Sequence, residues 1–193
     1  MRVARVDLSK KAIKVSEISK EFAVYIRGFT RVYPPGYDPR GLYGMALAYA
    51  TSQRGACHMR SCAYRPNLAG ALDRFSTKGQ AELVKEREDF YCVVDSLVYC
   101  RFLCLPIIGM NWEDVSKLLK IVTGRDYPVQ KLKEIGEKIH NLTRKFNERE
   151  GVMDDELPEI FFRYPIKIYD KDVIVREEDF KKMLNEYYRL RGW

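Results

Sequence analysis

The sequence predicts a mainly α-helical protein of about five or six helices with a small N-terminal β-hairpin or three-stranded element. Three observations lead there. Apolar residues recur at helical spacing through most of the chain after residue 30, capping and stop residues bracket those runs, and period-two alternation is confined to the first thirty residues. The expected organisation is a β element over residues 1–29 and a helical domain over residues 30–193.

Val3, Arg5 and Asp7 alternate with Ala4, Val6 and Leu8, and a second alternating run surrounds Ile13 and Val15. Leu8-Ser9-Lys10-Lys11 can turn between them, so a hairpin is expected. Residues 22–26 can add a third strand, ended by Gly28.

The helices follow. Asp38 is a good N-cap, and Pro39 suits a first turn because its missing N–H has no partner there in any case. That helix should run to about Gln53, slim along Gly41, Gly44, Ala46, Ala48 and Ala50, with Leu42, Met45 and Tyr49 as its apolar stripe. The small residues suit tight helix packing or the close approach of a cofactor. The next helix runs from about Gln80 to Val98 and carries Leu83, Phe90, Val94 and Leu97. Asn111 starts a shorter helix that Gly124 stops. Leu132, Ile135, Ile139, Leu142 and Phe146 define a long one, and Phe180, Met183, Leu184 and Tyr187 the last. Residues 157–172, aromatic and proline-containing, read as irregular.

With 193 residues and 46% hydrophobic content, the chain can fill one core. It has no apolar run of membrane-spanning length, and MRVARVDLSKK lacks the features of a signal peptide, so a cytoplasmic location without a membrane partner is expected. Five cysteines at irregular spacing argue for thiols rather than a disulfide framework. The net charge of +7 arises from 34 basic residues interleaved with 27 acidic ones, as in EKIHNLTRKFNERE. Interleaving reads as a solvated surface and argues against a nucleic-acid partner, which would call for a clustered positive face.

A few side chains carry the chemistry. His58 follows Gly55-Ala56-Cys57 just past a helix end, where a side chain can enter a cleft, and imidazole titrates near neutrality. It can equally be a hydrogen-bonded structural histidine. Asp95 and Cys100 are separated by roughly 500° of rotation on a continuous helix and would lie about 140° apart. To serve one ligand, they require the helix to end near Val98 and to present Cys100 from its C-terminal turn.

Taken together, YDPRGLYGMALAYATSQRGACHMR from Tyr37 and DSLVYC from Asp95 resemble segments of the aldehyde ferredoxin oxidoreductases. RVDLSKKAIKVSEI is similar to the opening strands of that family, FNEREGVMDDELPEIFF to a later segment with Asn147, Arg149, Glu150 and Gly151 at matching positions, and FKKMLNEYYRLRGW to its last long helix. The resemblance is mainly to the C-terminal helical part of a longer protein.

The resemblance implies a tungsten or molybdenum pterin and a [4Fe-4S] cluster, oxidation of aldehydes to carboxylic acids, and ferredoxin as electron acceptor. It places His58 in the substrate pocket near the metal, Asp95 against the pterin, and Cys100 as one cluster ligand. DSLVYC has Val98 and Tyr99 where the family pattern Asp-x-x-Gly-Leu-Cys has Gly and Leu. The family's CxxCxxxC group and its Asp-x-x-Gly-Leu-Asp motif are both missing, and a self-contained metal site would have to use Cys57, Cys62, Cys100 and Cys104. Two readings therefore stand. Either the chain is the C-terminal domain or subunit of such an enzyme, completed by a complementary subunit with the N-terminal and middle domains, or it is a shortened non-catalytic relative acting as a binding or assembly module. Asn147 to Gly151 read as structural, and Asp154 or Asp155 can border the pocket.

Overall fold

The computed structural model describes residues 36–104, 109–151 and 155–193 with their side chains, and four strands before residue 36 as backbone. Strands β1 (Arg2–Asp7) and β2 (Ala12–Glu17) pair antiparallel, Val6 opposite Ile13, and form the expected hairpin. Strand β3 (Val24–Tyr25) lies within residues 22–26 but pairs with β4 (Arg31–Val32) in a separate two-stranded sheet rather than joining the hairpin. The turn at residues 8–11, Gly28 and Asp154 lie outside the described residues.

The rest is mainly helical. Asp38 accepts a hydrogen bond from the Arg40 amide at 2.9 Å and starts a 3-10 turn at Pro39–Gly41, which leads into α1 (Tyr43–Thr51). All nine α1 residues are buried, so the helix has no solvent face and the expected stripe is one side of a wholly interior element. Its small residues serve packing: a Cβ on Gly44 would lie 2.6 Å from Gln80 Oε1 and 2.7 Å from Asn67 Oδ1.

The short α2 (Tyr64–Leu68) follows, then α3 (Gln80–Ser96), the central strut. Helix α4 (Trp112–Thr123) begins in a capping box, Asn111 accepting from the Asp114 amide and Asp114 from the Asn111 amide, and ends at Gly124 as expected. Helix α5 (Val129–Arg149) buries Leu132, Gly136 and His140, while Leu142 and Phe146, expected on its apolar side, are exposed. The reason is Gly136, where a Cβ would sit 2.3 Å from the carbonyl oxygen of Asp89. Backbone contact with α3 at that point turns the buried face toward Gly136.

Residues 157–172 are ordered by two elements the sequence reading missed. Helix α6 (Ile160–Arg163) precedes a hairpin of β5 (Ile166–Ile168) and β6 (Lys171–Val173). The hairpin turns through Tyr169 and Asp170, both at positive φ (48° and 62°), which is type I′ geometry without the usual Asn-Gly signature. Arg40, itself buried, donates to the Tyr164 carbonyl at 2.7 Å and ties this region to the start of α1. Helix α7 (Glu177–Arg191) closes the fold, burying Phe180, Met183 and Tyr187. Two apolar clusters result, one around α1, α6 and α7 and one around the C-terminal half of α3, α4 and the start of α5. No helix among the described residues is long and apolar enough to cross a membrane.

Candidate functional site

Two turns bound the site, one after α1 and one after α3. His58 begins a 3-10 turn, His58–Arg60, half-buried beside stacked Tyr37 and Tyr64. The two tyrosine rings lie 3.8 Å apart, and the imidazole is 5.5 Å from Tyr37 and 6.2 Å from Tyr64. Burial, then the positive charges of Arg101, Arg54 and Arg65, hold the His58 pKa below its usual 6.5. At neutral pH the ring is therefore an uncharged acceptor.

Asp95 stands on the last turn of α3, which ends two residues earlier than expected. Its carboxylate accepts from Arg60 Nη1 at 2.8 Å and Arg101 Nε at 2.8 Å, and Arg101 Nη2 closes a bidentate pair. Three of about four lone-pair positions are thus occupied.

The end of α3 is a Schellman turn. The Tyr99 amide donates to Val94 O at 3.1 Å and the Val98 amide to Asp95 O at 3.0 Å, with Val98 at φ 59°. Valine here adopts the left-handed backbone that glycine accepts without strain, so the turn keeps the conformation while losing the residue that favours it. Beyond it the helix does not continue, the break that a shared ligand of Asp95 and Cys100 would need, and Cys100 is exposed.

Arg101 connects the expected residues. It grips Asp95, follows Cys100 directly, and lies near enough to His58 to depress its pKa. The sequence reading missed it, along with Arg60, Tyr37 and Tyr64, although both arginines sit beside the motif residues in CHMR and YCR.

The cysteines do not assemble. Cys57, Cys62 and Cys104 are buried, and Cys57 Sγ accepts from Arg54 Nε and Nη2 at 3.3 and 3.0 Å. Burial pushes the Cys104 thiol up, and burial with Glu88 and Asp89 pushes Cys92 up to about 12. Among the described residues no group of three or more His, Cys, Asp or Glu side chains could hold a metal ion. A four-thiolate cluster therefore does not fit this chain alone, whereas exposed Cys100 fits the role of one outward-facing ligand.

The structural reading of the later segment has support. Asn147 Nδ2 donates to Gln53 O at 2.9 Å, Gly151 has φ 84°, and Asp155 is held by Arg144 at 2.7 Å and by the Tyr188 hydroxyl at 2.8 Å.

Comparison with known proteins bears on the same residues. Residues 8–193 match the family model described as aldehyde ferredoxin oxidoreductase, domains 2 and 3. The chain is 32% identical over 177 residues, 88% of its length, to the tungsten-containing aldehyde ferredoxin oxidoreductase of Pyrococcus horikoshii. It is 33% identical over 82% of its length to that of Pyrococcus furiosus, and 32% identical over 82% to that of Thermococcus kodakarensis. The match spans about 28% of the Pyrococcus horikoshii relative and 27% of the other two. From a family match that takes in both site turns and every helix of the fold, it follows that the chain belongs to the aldehyde ferredoxin oxidoreductase family.

Proposed function

We propose that this chain is the C-terminal part of a tungsten- or molybdenum-pterin oxidoreductase that oxidises aldehydes to carboxylic acids and passes the electrons to ferredoxin. It works with a further domain or subunit that supplies the pterin-binding sheet domain and the three-cysteine cluster motif. One observation carries this reading: Arg60, from the turn that begins at His58, and Arg101, next to Cys100, both grip Asp95 at the end of α3, in a chain that matches the relatives' domains 2 and 3.

When bound, the metal and pterin supply the two-electron redox chemistry. The residues of this chain position, screen and accept. Asp95, oriented by Arg60 and Arg101, keeps one acceptor position for a donor on the pterin. Cys100 supplies one thiolate to a cluster whose other ligands lie outside the chain. His58, uncharged at neutral pH and backed by Tyr37 and Tyr64, can take a proton at its free lone pair as aldehyde and water become carboxylic acid. Net oxidation releases two electrons and two protons, and a base at this position suits that balance.

The reading is tested by metal analysis. The chain is purified alone and after co-expression with the remaining domains of the Pyrococcus furiosus relative as a separate polypeptide. The complex should contain tungsten or molybdenum with iron, and the isolated chain neither in stoichiometric amount. A stable complex free of tungsten and molybdenum would contradict the proposal, and stoichiometric metal in the isolated chain would contradict its incompleteness.

A further inference from the structure

Beneath the Asp95 cluster lies a cavity of about 10 Å³, lined in part by Arg60, Glu88, Cys92, Arg101 and His140. That is room for one water. Two nitrogens of the lining arginines, Arg60 Nε and Arg101 Nη1, are buried without an acceptor, while Arg60 Nη1 and Arg101 Nε and Nη2 hold Asp95. The carboxyl of Glu88, another lining residue, is unevenly satisfied. Its Oε2 accepts from Tyr187 at 2.6 Å and Arg191 Nη2 at 2.9 Å, whereas Oε1 has only the Thr51 hydroxyl at 3.4 Å.

We infer that the cavity binds one water molecule, which accepts from Arg60 Nε and Arg101 Nη1 and donates to the Glu88 carboxyl group. Two unpartnered donors and an under-used acceptor on residues lining one small cavity match the hydrogen-bonding pattern of water. A halide would satisfy the donors but would face the Glu88 carboxylate, so water is the better fit. Arginine keeps its protons, so the water transmits orientation and field rather than relaying a proton through the guanidinium groups.

The water joins two clusters that otherwise share no direct bond. Glu88 is faced by Thr51 from α1, His140 from α5, Tyr187 and Arg191 from α7, and Asp89 and Cys92 on its own helix. Through the cavity it would also be coupled to the arginines that orient Asp95. Its ionisation would thereby reach the candidate site, where proton balance matters.

A high-resolution crystal structure of the full chain tests this directly. One density peak should lie within hydrogen-bonding distance of Arg60 Nε and Arg101 Nη1. Cys92→Met, which fills the cavity, should remove the peak and raise the Glu88 titration midpoint, followed by carbon-13 NMR, by about half a pH unit or more as the carboxylate loses a donor. If that variant does not fold, water relaxation dispersion on the unmodified chain should detect a long-lived buried water that Arg101→Lys loses. The inference is overturned by a cavity without density, by a peak that bromide exchange identifies as a halide, by a Glu88 midpoint indifferent to filling, or by no relaxation signal that depends on Arg101.

Discussion

Arg191 Nη2 donates to Glu88 Oε2 at 2.9 Å, joining the last helix to the third with both side chains sealed from water. Arg191 Nη1 also donates to Asp89 Oδ1 at 2.5 Å, and its Nε to the Tyr187 hydroxyl at 3.1 Å. Removing one partner of such a pair leaves an uncompensated buried charge. Arg191→Met should therefore cost about 3–5 kcal/mol in chemical denaturation at pH 8. The double variant with Glu88→Gln should cost less than Arg191→Met alone, and additivity of the two would show that the residues are uncoupled.

The same pair makes stability depend on pH. Burial raises the Glu88 pKa from 4.5 to about 7 despite Arg191 and Tyr187, so the folded protein holds this proton more tightly than the unfolded chain. That contribution is complete below pH 4.5 and is lost as pH rises through about 7. Relative to wild type, Glu88→Gln should gain stability across that window. His140 has the opposite sign: burial and Arg191 hold it neutral, so its contribution is present above 6.5 and is lost as pH falls. Because His140 Nε2 lies 3.8 Å from Glu88 Oε2 and the two titrate together, the comparison is made with His140→Gln in both proteins, where a flat difference would contradict the Glu88 assignment.

Gly136 sets the distance between α3 and α5. Gly136→Ala places a methyl group 2.3 Å from the Asp89 carbonyl oxygen, and the backbone there cannot step aside as a flexible side chain could. We expect a loss of about 1–3 kcal/mol despite alanine's better helix propensity, measured by thermal or urea unfolding. A gain in stability would show that the two helices do not cross so closely.

Val98→Gly should stabilise the chain. Valine at φ 59° bears a left-handed cost of about 1–2 kcal/mol, and glycine's extra unfolded-state freedom returns about 0.5–1 kcal/mol. Val98 is 90% exposed, so no packing is lost. Urea midpoints of the two proteins decide the matter, a lower midpoint for the glycine variant being the contrary result.

In proton NMR, His58 should titrate below 6.5, and Arg101→Gln should raise its midpoint by removing the neighbouring positive charge that acts on it most strongly. An unchanged midpoint would separate Arg101 from the imidazole.

Much of the fold was readable because its signals are local. Asn111 and Gly124 bound α4 as expected, whereas Asp38 caps a separate 3-10 turn at Pro39–Gly41 and α1 begins only at Tyr43, after the extended Leu42. The second hairpin was hidden because Tyr169 and Asp170 adopt positive φ without a glycine to announce it. The α5 face was misread because a single glycine at a helix crossing outweighed Leu142 and Phe146. At the site, the helix end after Ser96 and the exposure of Cys100 are what a shared ligand of Asp95 and Cys100 would need. The arginines were illegible for a different reason: charged residues are common on a solvated surface, and only tertiary contact shows that Arg60 and Arg101 converge on one carboxylate. Glu88, His140 and Arg191 come from three separate helices, and no periodicity links them.

The most direct measurement is aldehyde oxidation, with reduced ferredoxin or a dye as readout, by this chain combined with the remaining domains of the Pyrococcus furiosus relative. The account predicts activity that neither polypeptide has alone, falling at least about 100-fold with His58→Ala and accompanied by loss of the cluster's visible absorption with Cys100→Ala. A stable complex that is inactive, or one that keeps full activity and cluster absorption in both variants, would contradict it.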